Sequence, residues 1–413
     1  VGAIGSTKTA TNKSWDLSWT LSDNVTAQGA LLVTIRRIVA NNNSTFPTTS
    51  DTVLTSSLGL TALNGETNVS GTEYLEKYVN YLITATDAAN NVGSQTKSVY
   101  IDNLPPEPPV VTNPTESAAV NTLLQAYTGT CDSSAGYVTT VTGGTGVTIT
   151  ASNCAAGVFA ATAMFQAGAT SRSITMSTTD AANNTSVSVR SVTNTFACPT
   201  NYVGVPGNAT YGTADFCVAK FHMKNIGGVP TPSATALPWV SINQTSSTTA
   251  CAGLGTGYTL ISNAQWQTIA QNIELVATNW SGGVVGTGGI PRGHSDNSPP
   301  NALAVTDVND PWNGTSNTSA DAYGAGWQER RTFNLNNGSV LWDFGGNVWT
   351  WVSDLMSGAS LTPTISTTGP YEYTNTTYFP TGTPANRILF APLSTTYNST
   401  QGMGKIYGGS GGA

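Results

Sequence analysis

Short runs of alternating apolar and polar residues dominate the first half of the chain and predict β-strands. In SWDLSWTLS, the side chains of Trp15, Leu17 and Trp19 fall on one face of an extended chain, because successive strand residues point to opposite sides. The run ALLVTIRRIV at 30–39 predicts a second strand. A third strand places four apolar residues on one face: Val79, Tyr81, Ile83 and Ala85.

A repeat of about one domain's length follows from the same pattern. The hexapeptide TDAANN begins at Thr86 and again at Thr179, 93 residues further on, each time between two predicted strands. Asp and Asn favour turns because their side chains bond nearby backbone and tolerate left-handed conformations. A period near 90–100 residues is typical of a β-sandwich domain. These runs resemble the immunoglobulin-like and fibronectin type III-like domains of bacterial surface proteins, which implies two tandem sandwiches.

Proline-rich sequence divides the chain into predicted domains. The stretch DNLPPEPPVV contains four prolines within five residues, which makes a stiff, extended spacer. We therefore predict a first immunoglobulin-like domain at 1–103, a linker at 104–109, and a second immunoglobulin-like domain at 110–196. Residues 197–413 form a third domain. Two sandwiches with a rigid link predict a rod, although the repeat is equally explained by duplication without a spacing role.

Helical periodicity is convincing at one place in the third domain. In SNAQWQTIAQNIE, Trp266, Ile269, Ala270 and Ile273 recur at helical spacing, and Ser262 is placed to cap the helix. A shorter helix around 248–254 is predicted to carry Cys251. The rest of this domain is rich in glycine and asparagine and predicts loops.

Composition favours an extracellular protein. Only 9% of residues are charged and 39% are hydrophobic, with a net charge of −7. Ten tryptophans argue against disorder, and the absence of a basic patch argues against nucleic acid as a partner. No transmembrane segment is predicted, because the longest apolar run is short and interrupted by Arg36 and Arg37. Thr, Ser and Asn must therefore supply the polar surface.

The five cysteines predict two disulfides and one unpaired thiol. Cys131 and Cys154 fall in the second predicted domain, and Cys198 and Cys217 flank a predicted hairpin. We interpret both pairs as disulfides of an oxidising compartment, with buried free thiols as the alternative. Cys251 is then left over. No pair has the spacing of a structural zinc site.

Residues 198 onward resemble the formylglycine-generating enzyme family. The resemblance rests on three segments that occur in the family's order: DFCVAKFHMKN, TLISNAQWQTIA and, as the most specific, LWDFGGNVWTWV. This resemblance implies a C-type-lectin-like α+β domain rich in loops. The predicted fold class is therefore mostly β: two tandem immunoglobulin-like β-sandwiches followed by that domain.

The resemblance also implies a calcium site in the last motif. Asp343 would supply its carboxylate and Gly346 and Val348 their carbonyls, while Thr350 stands where the family has Glu. The alternative is a loop held by tryptophan packing, with Asp343 capping backbone N–H groups. Because Trp349 and Trp351 alternate along the chain, both are expected to enter the core.

No catalytic residue is predicted. The family's enzymes bind copper through two late cysteines, and this chain has none after Cys251. The segment GGSGG at 408–412 fits the nucleophile-elbow pattern without its structural context. Asp307 and Asp310 form a possible carboxylate pair for glycoside hydrolysis, but loop aspartates more often form turns.

The expected function is a non-catalytic extracellular or cell-surface one. A rod presenting a lectin-like head suits an adhesin that binds a glycan or protein. Low charge and a polar surface also suit a structural subunit of an extracellular fibre or layer, binding copies of itself as a homo-oligomer or polymer. An enzyme of the formylglycine-generating family is the alternative from another class.

The family pattern continues with a closing segment that does not follow GKIYGGSGGA. We therefore expect that segment to be cleaved and retained, donated by a neighbouring subunit as an added strand, or outside this sequence. The alternative is a diverged, complete domain in which Cys251 is buried and free.

Overall fold

Strands are the main regular element among the residues that the computed structural model describes and far outnumber helices, so the predicted mostly β class is confirmed. The described residues are 4–6, 10–11, 14–24, 26–67, 76–291, 293–294, 301–306, 330–354, 368–372 and 405–409. Within them lie two α-helices, both in the C-terminal part of the chain.

Two sheets form the first sandwich. Its strands are β1 Ile4–Ser6, β2 Ala10–Thr11, β3 Ser14–Trp19, β4 Leu32–Ala40, β5 Val53–Leu58, β6 Ala62–Thr67, β7 Lys77–Thr86 and β8 Val92–Ile101. One sheet has the order β1-β3-β6, and the other has the order β2-β8-β7-β4-β5. Between them, Leu17 and Trp19 pack against the predicted face of β7, where Val79, Tyr81 and Ile83 are fully buried.

Two four-stranded sheets form the second sandwich. Its strands are β9 Val110–Asn113, β10 Ala118–Val120, β11 Leu124–Thr130, β12 Val138–Gly143, β13 Val147–Ala155, β14 Val158–Phe165, β15 Thr170–Thr179 and β16 Thr185–Asn194. The sheet orders are β10-β16-β15-β12 and β13-β14-β11-β9. Tyr127, Phe159 and Phe165 fill the space between them and are fully buried.

The repeated hexapeptide makes the same turn in both sandwiches. It joins β7 to β8 at Asp87 and β15 to β16 at Asp180. In each copy the Asp Oδ1 accepts two backbone N–H groups, at 2.8 Å in the first copy and 2.8–2.9 Å in the second. Asn90 and Asn183 adopt φ of 66° and 68°, a left-handed conformation that Asn tolerates. The equal turns follow directly from the equal sequences.

Small hairpins and two helices form the C-terminal part. Its strands are β17 Tyr202–Val205, β18 Phe216–Ala219, β19 Met223–Ile226, β20 Val229–Pro232, β21 Thr332–Asn334, β22 Val340–Trp342, β23 Thr368–Glu372 and β24 Lys405–Gly409, paired two by two in that order. The helices are α1 Gln244–Ala252 and α2 Asn263–Glu274. In α2, the Ser262 side chain and Gln265 form a reciprocal capping box, so the predicted cap is confirmed.

Helix α1 carries Cys251 as predicted but begins earlier than the predicted span. Asn243 is its N-cap, and its side chain accepts a hydrogen bond from the backbone N–H of Ser246. Because the first turn contains polar residues without apolar periodicity, the pattern of hydrophobic positions did not reveal this start.

Two disulfides are present, Cys131–Cys154 and Cys198–Cys217, with Cα separations of 6.0 Å and 5.6 Å. The first links the end of β11 to the edge strand β13. The second ties the segment before β17 to β18. Cys251 is a free, half-buried thiol.

A close junction joins the second sandwich to the C-terminal part. Asn337, at the tip of the β21–β22 hairpin, donates through Nδ2 to the carbonyls of Phe165 and Gly204, at 3.1 Å and 3.0 Å. The Asp215 carboxylate accepts the backbone N–H of Leu123 at 2.6 Å. A side chain at Gly204 would meet Leu123 Cδ1 at 2.8 Å, so glycine permits this approach.

Replacing Asn337 with Ala should weaken this junction. The change leaves two buried carbonyl groups without their donor, which costs about 2–4 kcal/mol of unfolding free energy. Denaturant unfolding of the full chain measures it. The matched control is Asn153→Ala, because Asn153 is exposed on β13 and the change should stay within about 0.5 kcal/mol. Equal midpoints for the two variants would contradict the assignment.

Candidate functional site

Aromatic side chains enclose a cavity of about 630 Å³ in the C-terminal part of the chain. Its walls come from β18, α1, the start of α2, and the segment after β22 that carries the sequence WDFGGNVWTWV. The most apolar part of the wall is contributed by Tyr202, Trp239, Tyr258, Trp266, Trp342 and Phe344. The volume lies in the range typical of sites for small organic ligands.

The cavity wall is held rigid by ring packing. Trp266 of α2 stacks on Phe344 with ring centroids 4.6 Å apart, and Phe333 of β21 meets Phe344 edge-on at 6.2 Å. Apolar positions of α2 at helical spacing, Ile269 and Ile273, anchor this helix in the same core. The predicted apolar face of α2 therefore positions one wall of the site.

One buried polar group in the wall lacks a partner. Tyr202 meets Tyr258 edge-on at 5.8 Å, and its hydroxyl oxygen is buried without a hydrogen bond. Burial raises the pKa of Tyr202 to about 12, so the phenol is neutral at physiological pH. An unpaired buried hydroxyl is costly unless something in the cavity satisfies it.

The two alternating tryptophans have different environments. Trp351 is partly buried, and its indole N–H donates to the Ile242 carbonyl at 2.8 Å. Trp349 lines the cavity but is 82% exposed, so the prediction that both enter the core is wrong for Trp349. Alternation applies to strands, and β22 ends at Trp342, before these residues.

A buried ion pair fixes the loop that follows β22. Arg331 Nε donates to Asp343 Oδ1 at 2.5 Å, and its Nη2 donates to Oδ2 at 2.7 Å. Both side chains are fully buried. Arg331 also donates to the carbonyls of Leu303 and Ala304, so it connects three segments of the chain. The guanidinium lies 5.7 Å from the Trp342 ring.

Two further residues complete this network. Asn347 Nδ2 donates to Asp343 Oδ2 and to the Leu303 carbonyl, each at 3.0 Å. His222 Nε2 donates to the Asp343 carbonyl at 2.7 Å. Burial lowers the pKa of His222, so its ring is neutral. Sequence reasoning missed Arg331 and His222, since their spacing from Asp343 follows no local motif. Asn347 lies within the quoted motif, four residues after Asp343, but was given no role.

The predicted calcium ligands do not fit a calcium ion in this arrangement. The Asp343 carboxylate is already shared by Arg331 and Asn347, and the Gly346 carbonyl accepts the N–H of Val348 at 2.9 Å. Thr350 is exposed and neutral. Calcium prefers six to eight oxygens that include carboxylates. The capping alternative is also not what the structure shows, because the partners of the carboxylate are side chains. Calcium binding at Asp343 remains a hypothesis, which the effect of a chelator on the melting temperature tests.

Asp343→Asn should destabilise the C-terminal part by about 3–5 kcal/mol, because it leaves the Arg331 charge buried without its counter-ion. Asn keeps the shape and tolerates the φ of 56° found at this position. Thermal unfolding measures the effect, with exposed Glu107→Gln as the control. Excess chelator should leave the wild-type melting temperature unchanged. A chelator-induced drop that Asp343→Asn abolishes would restore the calcium hypothesis.

Two more ionisable side chains are buried away from the cavity. Burial lowers the pKa of Lys224 to about 8, and burial raises the pKa of Glu274 to about 7. Glu274 ends α2, is 2% exposed, and neither of its carboxyl oxygens has a hydrogen-bond partner in the described structure. The neutral acid is therefore the favoured form inside the folded protein up to about pH 7.

Glu274 should make the protein less stable as pH rises. Its folded pKa of about 7 exceeds the ordinary value of 4.5, so the folded state retains a proton that the unfolded state releases between these values. Unfolding free energy then falls from about pH 4.5 to 7. Glu274→Gln should lack this decrease and should exceed the wild type in melting temperature at pH 8 but not at pH 4. Parallel pH profiles for the two proteins would refute this.

Other predicted features are placed as follows. Cys251 lines the cavity, and burial raises the pKa of its thiol. Asp307 and Asp310 lie outside the described residues. Gly408 and Gly409, from the GGSGG segment, lie in β24. Within the described ranges, no three His, Cys, Asp or Glu side chains are grouped to hold a metal ion. None of the helices described is long and apolar enough to span a membrane.

Comparison with known proteins gives no family for this chain. No protein-family model matches it, and no curated protein matches it. The resemblance of residues 198 onward to the formylglycine-generating enzyme family therefore has no support from these comparisons. Two disulfides and a mostly β architecture fit a secreted or surface protein.

Weak alignments connect the chain to solved structures. Bacteroides ovatus SGBP-B of a mixed-linkage glucan utilization locus, in complex with a mixed-linkage heptasaccharide, is 14% identical over 47% of this chain and 44% of that chain, with a TM-score of 0.15. Drosophila N-cadherin EC1-4 is 12% identical over 40% of this chain and 41% of that one, with a TM-score of 0.20. This chain thus spans less than half of either. Scores this low establish no shared fold.

Proposed function

We propose that the protein is a non-catalytic, extracellular binding protein whose aromatic cavity takes a glycan displayed on a surface. The observation that carries this proposal is a rigid cavity lined by aromatic rings, with the exposed indole of Trp349 at its edge. Sugar rings have an apolar C–H face that stacks on such rings. Their hydroxyl groups can pair with an unsatisfied polar group such as the Tyr202 hydroxyl.

The distribution of charge supports a neutral ligand. The carboxylates that line the cavity are Asp215, which accepts the backbone N–H groups of Leu123 and Gly207, and Asp343, which is paired with Arg331. His222 also lines it and is neutral, so little unpaired charge faces a ligand. An anionic or cationic ligand would be desolvated on entry without a compensating partner, which costs free energy. A neutral saccharide avoids that cost.

An extracellular location agrees with the rest of the chain. Two disulfides require an oxidising compartment, and the surface depends on Thr, Ser and Asn rather than on charge. The two sandwiches are suited to carry the binding domain as an adhesin does. An enzyme of the formylglycine-generating family stays the alternative from another class, and oxygen-dependent turnover of a cysteine-containing peptide would support it.

Binding should depend on two cavity residues. A glycan array probed with the full chain identifies the saccharide, and calorimetry measures its affinity. Trp349→Ala should weaken binding about 10-fold or more, since a tryptophan that a ligand covers on binding is a typical source of most of the binding energy. Tyr202→Phe, which removes one hydrogen bond, should weaken it about 2- to 10-fold. The control is Tyr137→Phe in the second sandwich, which should bind as the wild type does.

Several outcomes would decide against the proposal. Equal affinity of Trp349→Ala and wild type would show that the cavity is not the binding site. Binding to a purified protein but to no saccharide would favour a protein ligand. Regular filaments or a lattice in negative-stain images, with no ligand bound, would favour the structural subunit of a fibre or layer.

A further inference from the structure

Overlapping glycosylation motifs occupy an exposed loop between β4 and β5. The sequence Asn42-Asn43-Ser44-Thr45 contains two Asn-x-Ser/Thr motifs, one beginning at Asn42 and one at Asn43. All four residues are exposed. Such motifs are frequent in a chain rich in Asn, Ser and Thr, so the motif alone carries little information. The structure distinguishes the motifs from one another.

The Asn42 side chain is already folded onto its own motif. Its Oδ1 accepts the Ser44 hydroxyl at 2.9 Å, the Ser44 N–H at 3.0 Å and the Thr45 N–H at 2.8 Å. Its Nδ2 makes no hydrogen bond within the described part of the chain. Among the motifs that the structure describes in full, this is the one in which the hydroxyl donates to the asparagine side chain.

The turn is fixed from beneath by a buried residue. Asn80 of β7 is fully buried, and its Nδ2 donates to the carbonyls of Asn42 and Thr45 at 2.8 Å and 2.7 Å. Ser98 of β8 donates to Asn80 Oδ1 and sets the orientation of the amide. The sandwich core therefore supports a rigid, outward-facing amide at Asn42.

Two other motifs are built so that they cannot carry a modification. In Asn279-Trp280-Ser281, Nδ2 of the buried Asn279 donates to the carbonyls of Ile273 and Asn334. In Asn337-Gly338-Ser339, the Asn337 amide holds the junction with the second sandwich. Replacing an amide hydrogen of either residue with a sugar would break a buried hydrogen bond and force a bulky group into the core.

We propose that Asn42 is an N-linked glycosylation site of the mature protein, with a lipid-linked saccharide as the donor. The Ser44 hydroxyl donates to Asn42 Oδ1 and draws electron density from the amide, which makes the Nδ2 N–H more acidic and eases loss of its proton as the new bond forms. Nδ2 attacks the anomeric carbon, the bond from that carbon to the lipid phosphate oxygen breaks, and the phosphate leaves with the electron pair. Nδ2 loses one proton to a base of the transferase, and no redox step occurs.

The proposal depends on the extracellular location in the proposed function but not on ligand binding. Protein recovered from the surface of its own cells is digested, and its peptides are mapped by electron-transfer fragmentation. We expect a saccharide on Asn42 and unmodified Asn279 and Asn337. An unmodified Asn42 in surface-exposed protein would overturn the proposal and would leave the proposed binding function intact.

Two matched variants separate the overlapping motifs. Ser44→Ala removes the Asn42 motif and keeps that of Asn43, while Thr45→Val does the reverse. Both retain the backbone hydrogen bonds to Asn42 Oδ1, so both should fold. The saccharide should be lost in Ser44→Ala and kept in Thr45→Val. The opposite result, or a saccharide on Asn43, would refute the assignment to Asn42.

Discussion

The buried pair between Arg331 and Asp343 holds the C-terminal part in place around its cavity. One guanidinium binds both carboxylate oxygens and two carbonyls of 303–304, and it lies beside the Trp342 ring. Those contacts fix the segment after β22, which supplies a wall of the cavity. A buried charge pair of this kind contributes little net stability, but breaking it by removing one partner is very costly. The ion pair therefore selects one arrangement of these loops, which form few strand-to-strand backbone hydrogen bonds of their own.

Charged residues are scarce in this chain, and several of them are inside it. Lys224, Glu274, Arg330 and Arg331 are all nearly or fully buried, whereas only 9% of all residues are charged. The surface is consequently left to hydroxyl and amide groups, which hydrogen bond to water without a net field. Such a surface suits association through stacking and hydrogen bonding more than through charge.

The sequence pattern predicted the features that depend on neighbouring residues, namely strand faces and helix caps. The face of β7 containing Val79, Tyr81 and Ile83 followed from alternation, and the start of α2 followed from the Ser262 cap. Both depend on residues a few positions apart.

The site itself depends on distant residues. Arg331 meets Asp343 across a hairpin, and His222 reaches the same aspartate from a sequence distance of 121 residues. No periodicity encodes such pairings, so the resemblance to a calcium motif was the available guide; it singled out Asp343, while its calcium stays a prediction. The wrong prediction for Trp349 has a related cause. Side chains alternate between two faces only within a strand, and β22 ends before Trp349, which is exposed.

The junction made by Asn337 and Asp215 has a mechanical consequence. Asn337 donates a hydrogen bond to the Phe165 carbonyl at the end of β14, and Asp215 accepts one from the Leu123 N–H at the start of β11. These two strands are neighbours in one sheet. A pull on a ligand held in the cavity would pass into two adjacent strands at the same end of the sandwich rather than into a single flexible tether. Resistance to tension would then be shared by the ladder between β11 and β14, and at its far end the Cys131–Cys154 disulfide ties β11 to β13, the strand on the other side of β14.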